Sequence, residues 1–153
     1  MSVYTDELSS CKDAGNFYLN VLAEMIGRGK AYNIISMNLD IDRGVTNFSD
    51  FRDILSYGFN SLQGLSISQN YTSNSYNDEK NYKQFISFLK ELKLTKFKFI
   101  DDQSTFTKLI KIDDIFEVMP ANAEYEFKIG DGENQEDRIY KDSKCIKLTY
   151  NPY

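Results

Sequence analysis

Carboxylates are what this sequence offers for chemistry. It has no histidine, which removes the commonest general base and metal ligand along with most Ser/His and Cys/His nucleophile arrangements. Asp40 and Asp42 stand two apart in an alternating segment, so on a strand both would point to one face and could share a divalent cation. The adjacent pairs Asp101–Asp102 and Asp113–Asp114 would diverge on a strand. The run Asp131–Asp137 superficially suggests a calcium loop, but it lacks the glycine at the sixth position and the spaced terminal glutamate. Solvated turn and edge carboxylates are the better reading of all these, so no catalytic residue, metal or cofactor is expected and the chain is not read as an enzyme.

The remaining reactive groups point the same way. Cys11 and Cys145 lie at opposite ends, without metal or redox spacing, and read as buried free thiols of a reducing compartment. Lys12 and Lys144 adjoin them, which is weak grounds for an activated thiolate. Gly27-Arg28-Gly29-Lys30 is glycine-rich and basic, but it follows a helical pattern where phosphate-cradling loops follow a strand. Asn47-Phe48-Ser49 and Asn70-Tyr71-Thr72 match the glycosylation pattern, which carries little weight without a secretion signal.

Charge is distributed more informatively. Residues 80–111 hold eight lysines against Glu91, Asp101 and Asp102, a local charge of +5. Residues 113–142 hold ten acids against Lys128, Arg138 and Lys141, a local charge of -7. Such halves either neutralise each other inside the fold or present complementary patches to neighbouring copies. The contact residues expected on this basis are Lys93, Lys96 and Lys98 on the basic side, and Glu133, Glu136 and Asp137 on the acidic side. Tyr71 and Tyr76 join them, because the uncharged run Ser68–Asn77 has the Tyr, Ser and Asn composition of adaptable contact loops.

These residues need elements to position them. Asp78–Leu92 carries Tyr82, Phe85, Ile86, Leu89 and Leu92 at helical spacing with lysines between, the clearest periodic signal in the chain. Lys96–Ile100 and Phe106–Ile112 alternate around Asp101–Ser104 and read as a β-hairpin. Upstream, a helix is expected from about Thr5, its N-cap, to Ile26, continuous or broken in the middle where Gly15 and Asn16 weaken it. A strand over Ile35–Ile41 follows, then a short helix capped by Asn47 or Ser49 and carrying Phe51, Ile54 and Leu55. Leu62–Ile67 reads as a weak strand in which Gly64 suggests a bulge. Asp113–Met119 is ambiguous between a helical turn and an edge strand, stopped by Pro120. Strands over Tyr125–Ile129 and Cys145–Tyr150 close the pattern, separated by a turn at Gly130–Gly132 and an acidic segment over 133–137. No internal repeat is evident in the letters. The class expected is α+β, a mainly antiparallel sheet with two to three helices packed on one face, as one globular domain over 1–153.

At 153 residues, with 41% hydrophobic and 14% aromatic content, the chain can bury a core without staples. Its net charge of -5 argues against nucleic acid or an anionic membrane as the partner. Met1–Asp13 has three acids and no apolar core region, so a cytoplasmic or virion setting is expected in place of signal-peptide secretion. The function expected is a non-enzymatic protein–protein interaction subunit of a larger assembly, binding other protein subunits or copies of itself. A phage virion component of the tail, neck or baseplate fits by size, build and an Asn-, Lys- and Ile-rich composition, an analogy with no motif behind it. The alternative is a small acidic inhibitor or immunity-type protein that blocks a basic site on a partner enzyme.

Overall fold

The computed structural model describes residues 2–4, 11–41, 47–69, 78–101, 110–129 and 135–150. Strands and helices alternate through most of the chain: β1 (Ser2–Tyr4), α1 (Cys11–Gly27), β2 (Ser36–Ile41), α2 (Phe48–Gly58), β3 (Gly64–Gln69), α3 (Asp78–Leu92), β4 (Lys96–Asp101), α4 (Ile112–Val118) and β5 (Glu124–Ile129). A hairpin of β6 (Gln135–Lys141) and β7 (Lys144–Tyr150) follows. The strands form one sheet in the order β1-β2-β3-β4-β5-β7-β6. Every neighbouring pair is parallel except β6 with β7.

Each helix begins and ends for local reasons. Asn47 caps α2, accepting the Asp50 N–H at 3.1 Å and donating its amide to the Asp50 carboxylate at 2.9 Å. Asp113 and Asp114 sit in the first turn of α4, where the exposed N–H groups favour negative charge, and Pro120 follows its end. The apolar stripe of α3 buries Phe85, Phe88 and Leu89 completely. Phe85 lies 4.9 Å from Phe48, 5.5 Å from Phe99 and 6.2 Å from Phe127, ring centroid to ring centroid. One aromatic residue of α3 thereby ties α2, β4 and β5 together.

The core lies on a single side of the sheet. Met37 and Leu39, Leu65 and Ile67, Phe97 and Phe99, and Tyr125 and Phe127 all face the helices, and all are buried. Successive side chains on a strand point to opposite faces. The alternate residues, Ser36, Asn38, Lys96, Lys98 and Glu124 among them, are therefore left on a face that no described helix covers.

The units repeat in space. Ser36, Gly64, Lys96 and Glu124 occupy one row across the sheet, at intervals of 28, 32 and 28 residues. Three units place apolar residues at the same offsets: Ile34, Met37, Leu39; Leu62, Leu65, Ile67; and Leu94, Phe97, Phe99. The strand entrances repeat as well. Ile35 O accepts from the Gln63 and Gly64 N–H groups, and Gln63 O accepts from those of Thr95 and Lys96. Stacked strand–helix units of this kind contact mainly their neighbours and bury a continuous core only together.

Several expectations need correction. The fold is α+β, but the sheet is mostly parallel, and four helices cover it. The hairpin over Lys96–Ile112 does not form, because β4 bonds β3 on one edge and β5 on the other, which leaves no edge for a returning strand. Ile112 instead opens α4, and Asp113–Met119 is resolved in favour of a helix. Gly64 causes no bulge: the β3 register runs unbroken from Gly64 to Gln69. Ser68 and Gln69 belong to β3, not to a loop. β1 and β6 were not expected, and the internal repeat is spatial. The Thr5 cap lies outside the described residues.

Two glycines separate packing from backbone need. A Cβ at Gly64 would meet Ser36 Cβ at 3.6 Å and Lys96 Cβ at 3.8 Å, which is ordinary contact. A Cβ at Gly58 would run into Cγ1 and Cδ1 of Ile26 on α1. Gly64→Ala should therefore stabilise the fold by about 0.5–1 kcal/mol, from reduced unfolded-chain entropy. Gly58→Ala should lower the melting temperature, because overpacking of about 1–3 kcal/mol outweighs its helix gain. Thermal unfolding of both variants followed by circular dichroism checks the opposite signs.

Candidate functional site

The open face of the sheet gathers polar side chains from β2 to β6 into rows. Because register partners point the same way, the first row reads Ser36, Gly64, Lys96, Glu124, Cys145, Tyr140. The second reads Asn38, Ser66, Lys98, Glu126, Lys147, Arg138. The β2–β3 half carries small residues and the β7–β6 half long ones. A hollow of about 350 Å³ lies over this face, running from Ser36 and Asn38 past Gly64, Ser66, Lys96 and Lys98 to Glu124 and Glu126. Tyr140, at the far edge, is 68% exposed.

Ion pairs run across the strands. Lys98 Nζ is 4.0 Å from Glu126, and Lys147 Nζ lies 3.6 Å from Glu126 and 3.5 Å from Glu136. Arg138 Nε donates to Glu136 at 3.0 Å. That hydrogen bond, helped by the charges of Lys147 and Arg138, holds the Glu136 carboxyl below its ordinary range. The same bond is the largest influence raising Arg138. Each exposed pair is weak on its own because solvent screens it, so the row is chiefly a charge pattern held in register by the backbone. Through Lys98 and Glu126, the basic and acidic stretches of the sequence do meet inside one molecule.

Of the contact residues expected from sequence, Lys96, Lys98 and Glu136 come together on this face. Asp137 points to the opposite side of β6, level with Leu148. Lys93 is exposed but lies just past α3, in a left-handed turn with φ of 50°, away from the rows. Tyr71, Tyr76 and Glu133 lie outside the described residues. Ser36, Gly64, Ser66, Glu124, Glu126, Lys147, Arg138 and Tyr140 were missed as site residues. Alternation marks most of them as outward, but only the strand order makes them neighbours.

The catalytic and metal options remain thin. Asp40 sits at the end of β2, with its backbone carbonyl accepting the buried Tyr18 hydroxyl, and Asp42 lies outside the described residues. Among the described residues, no group of three or more Cys, Asp or Glu side chains could hold a metal ion. Cys145 is a half-buried free thiol. No helix among the described residues is long and apolar enough to cross a membrane.

Two polar features lie on the helix side. Gln69 and Asp101, at the C-terminal ends of β3 and β4, are both buried, and Gln69 Nε2 donates to Asp101 Oδ2 at 3.0 Å. A buried carboxylate is stable only when donors face it. Gln69→Leu should therefore cost about 1–3 kcal/mol, seen as a lower urea midpoint at unchanged slope. The second feature is a groove of about 610 Å³ beside α3 and α4, bordered by Glu79, Tyr82, Lys83, Ile86, Lys111 and Asp114. The Tyr82 hydroxyl donates to Asp114 Oδ2 at 2.7 Å and accepts the Lys111 N–H at 3.2 Å.

Partial burial first, and then the bond and charge of Asp114, push the Tyr82 phenol up to about 12. A raised folded-state value means its contribution is complete below the unfolded value of about 10 and is lost as pH rises toward 12. Tyr82→Phe should flatten the fall in stability between those pH values, measured by urea unfolding at stepped pH. No family model, curated protein or solved structure matches this chain.

Proposed function

We propose that this protein is a non-enzymatic interaction subunit that binds other protein chains on the open face of its parallel sheet. The supporting observation is the uncovered face itself. Parallel sheets are nearly always covered on both sides, because their connections place helices there. Among the described residues the four helices cover one side only, and the other presents two rows of polar and charged side chains on the strands. A rigid, hydrated, charge-patterned surface suits reversible recognition of a folded partner, where complementary charge sets register and association rate. Lys96, Lys98 and Glu136 are its contact residues, with Glu124, Glu126, Lys147 and Arg138. The inhibitor reading has less support, because the acidic Glu136 is neutralised by Arg138 and Lys147 on its own chain.

A photo-crosslinking side chain tests the reading directly. Installed in place of Ser66 on the open face, it should yield a discrete covalent adduct with another protein chain in native cells. Installed in place of Tyr57, 79% exposed at the end of α2, it should yield none. Adducts at position 57 but not at 66 would move the interface to the helices and overturn the assignment.

A further inference from the structure

We infer that the partner on the open sheet face is a second copy of this chain, packed face to face about a two-fold axis that runs along the strands between β4 and β5. The inference rests on the preceding reading of that face as a docking surface and names its occupant. In the strand order β2-β3-β4-β5-β7-β6, such an axis exchanges β4 with β5, β3 with β7, and β2 with β6. Strand direction is kept and row faces row, since a two-fold interface uses the same patch on both partners.

The chemistry of the rows fits this operation. Lys96 is level with Glu124, and Lys98 with Glu126, so the axis sets each lysine of one copy over a glutamate of the other, four times in all. Lys96 and Glu124 have no ion-pair partner among the described residues of their own chain, which leaves both for the second copy. Shape follows charge. The hollow runs from Ser36 and Asn38 across to Glu124 and Glu126, and its β2–β3 end on one copy lies opposite Lys147, Arg138 and Tyr140 of the other. Row by row, Ser36 meets Tyr140, Asn38 meets Arg138, and Ser66 meets Lys147. The row nearest the C-terminal strand ends sets Asp40 against Glu136 and opposes the contact, so the interface centres on the first two rows.

Area limits its strength. The first two of three outward rows take about two-thirds of the strand length, so six strands about 4.8 Å apart present about 330 Å² per copy. The total of about 700 Å² is below the range of stable specific interfaces and belongs to weak, transient ones, and its charged residues must give up water to pair. The dimer is therefore reversible, concentration-dependent and sensitive to salt.

Sedimentation velocity of the full chain tests this. At about 20 mM salt the wild type should show a monomer–dimer equilibrium that dissociates by about 0.5 M salt, where screening reaches within a few ångströms. The double variants Lys96→Glu/Lys98→Glu and Glu124→Lys/Glu126→Lys should each weaken dimerisation at least about tenfold, since like charges now face each other. An equimolar mixture of the two should dimerise again, because the axis then sets lysines over glutamates at every position. A wild type that stays monomeric at low salt, variants that dimerise as the wild type does, or a mixture that stays monomeric overturns the proposal. Should the variants fail to fold, backbone amide shifts of the wild type on dilution decide it. Changes at Ser36, Gly64, Lys96 and Glu124 support the dimer, and changes confined to the helices overturn it. A monomeric wild type whose crosslinks at position 66 reach a different protein would remove the dimer and leave the docking face standing.

Discussion

A mostly parallel sheet whose described helices all lie on one side is the constraint from which the rest of this structure follows. Parallel strands need long crossovers, and here each crossover between β2 and β5 carries a helix on the same side. The covered side must then be mostly apolar and the other must tolerate water, so the strands alternate over most of their length, with Ile100 on the open side and Gln69 and Asp101 on the covered side as exceptions. That alternation is seen at once in Met37-Asn38-Leu39-Asp40 and in Phe97-Lys98-Phe99. A helix on the second face would have required near-continuous apolar strands, which the chain does not have.

The covered side is unusually aromatic. Phe48, Phe85, Phe88, Phe97, Phe99, Tyr125 and Phe127 fill the space between α2, α3 and the central strands at tilted and edge-on angles. Large flat side chains cover much area with few rotatable bonds, so a short helix such as α2 can still anchor firmly. Where polar atoms enter this layer they are matched. The Tyr125 hydroxyl donates to Leu94 O at 2.8 Å, and burial pushes its ionisation up. Gln69 answers Asp101.

Much of this was legible in the letters, and the chief error has a physical cause. The helical spacing of Tyr82, Phe85, Ile86, Leu89 and Leu92, the Asn47 cap, and the outward set on β2 and β5 could all be read from periodicity and turn chemistry. Reading Phe106–Ile112 as a strand leaves only short turns between the later strands, and short turns imply antiparallel pairing; α4 instead belongs to the crossover between the parallel strands β4 and β5. Phe106–Ile112 alternates too, although Ile112 starts a helix that the Asp113–Asp114 pair stabilises. The repeat escaped notice because its units share spacing, not residue identity: Met37, Leu65 and Phe97 hold one position with three different side chains. The site was half legible. Lys96 and Lys98 stand out as a basic pair, but their proximity to Glu124 and Glu126 depends on strand order, which single-strand patterns do not contain.

The terminal hairpin has a consequence for growth of the sheet. A row of like-oriented strands is open-ended, and its last hydrogen-bonding edge invites polymerisation with any extended chain. β6 reverses direction and closes the edge of β7 with the sequence Gln-Glu-Asp-Arg-Ile-Tyr-Lys, in which four of seven residues are charged. A fibre built by adding strands beyond β6 would have to stack those charges strand upon strand, so the hairpin acts as a gatekeeper at that end of the sheet. The lateral edge is thereby closed to uncontrolled addition while the broad face remains accessible. At the β6 edge, strand-by-strand growth of the sheet into a ribbon is disfavoured.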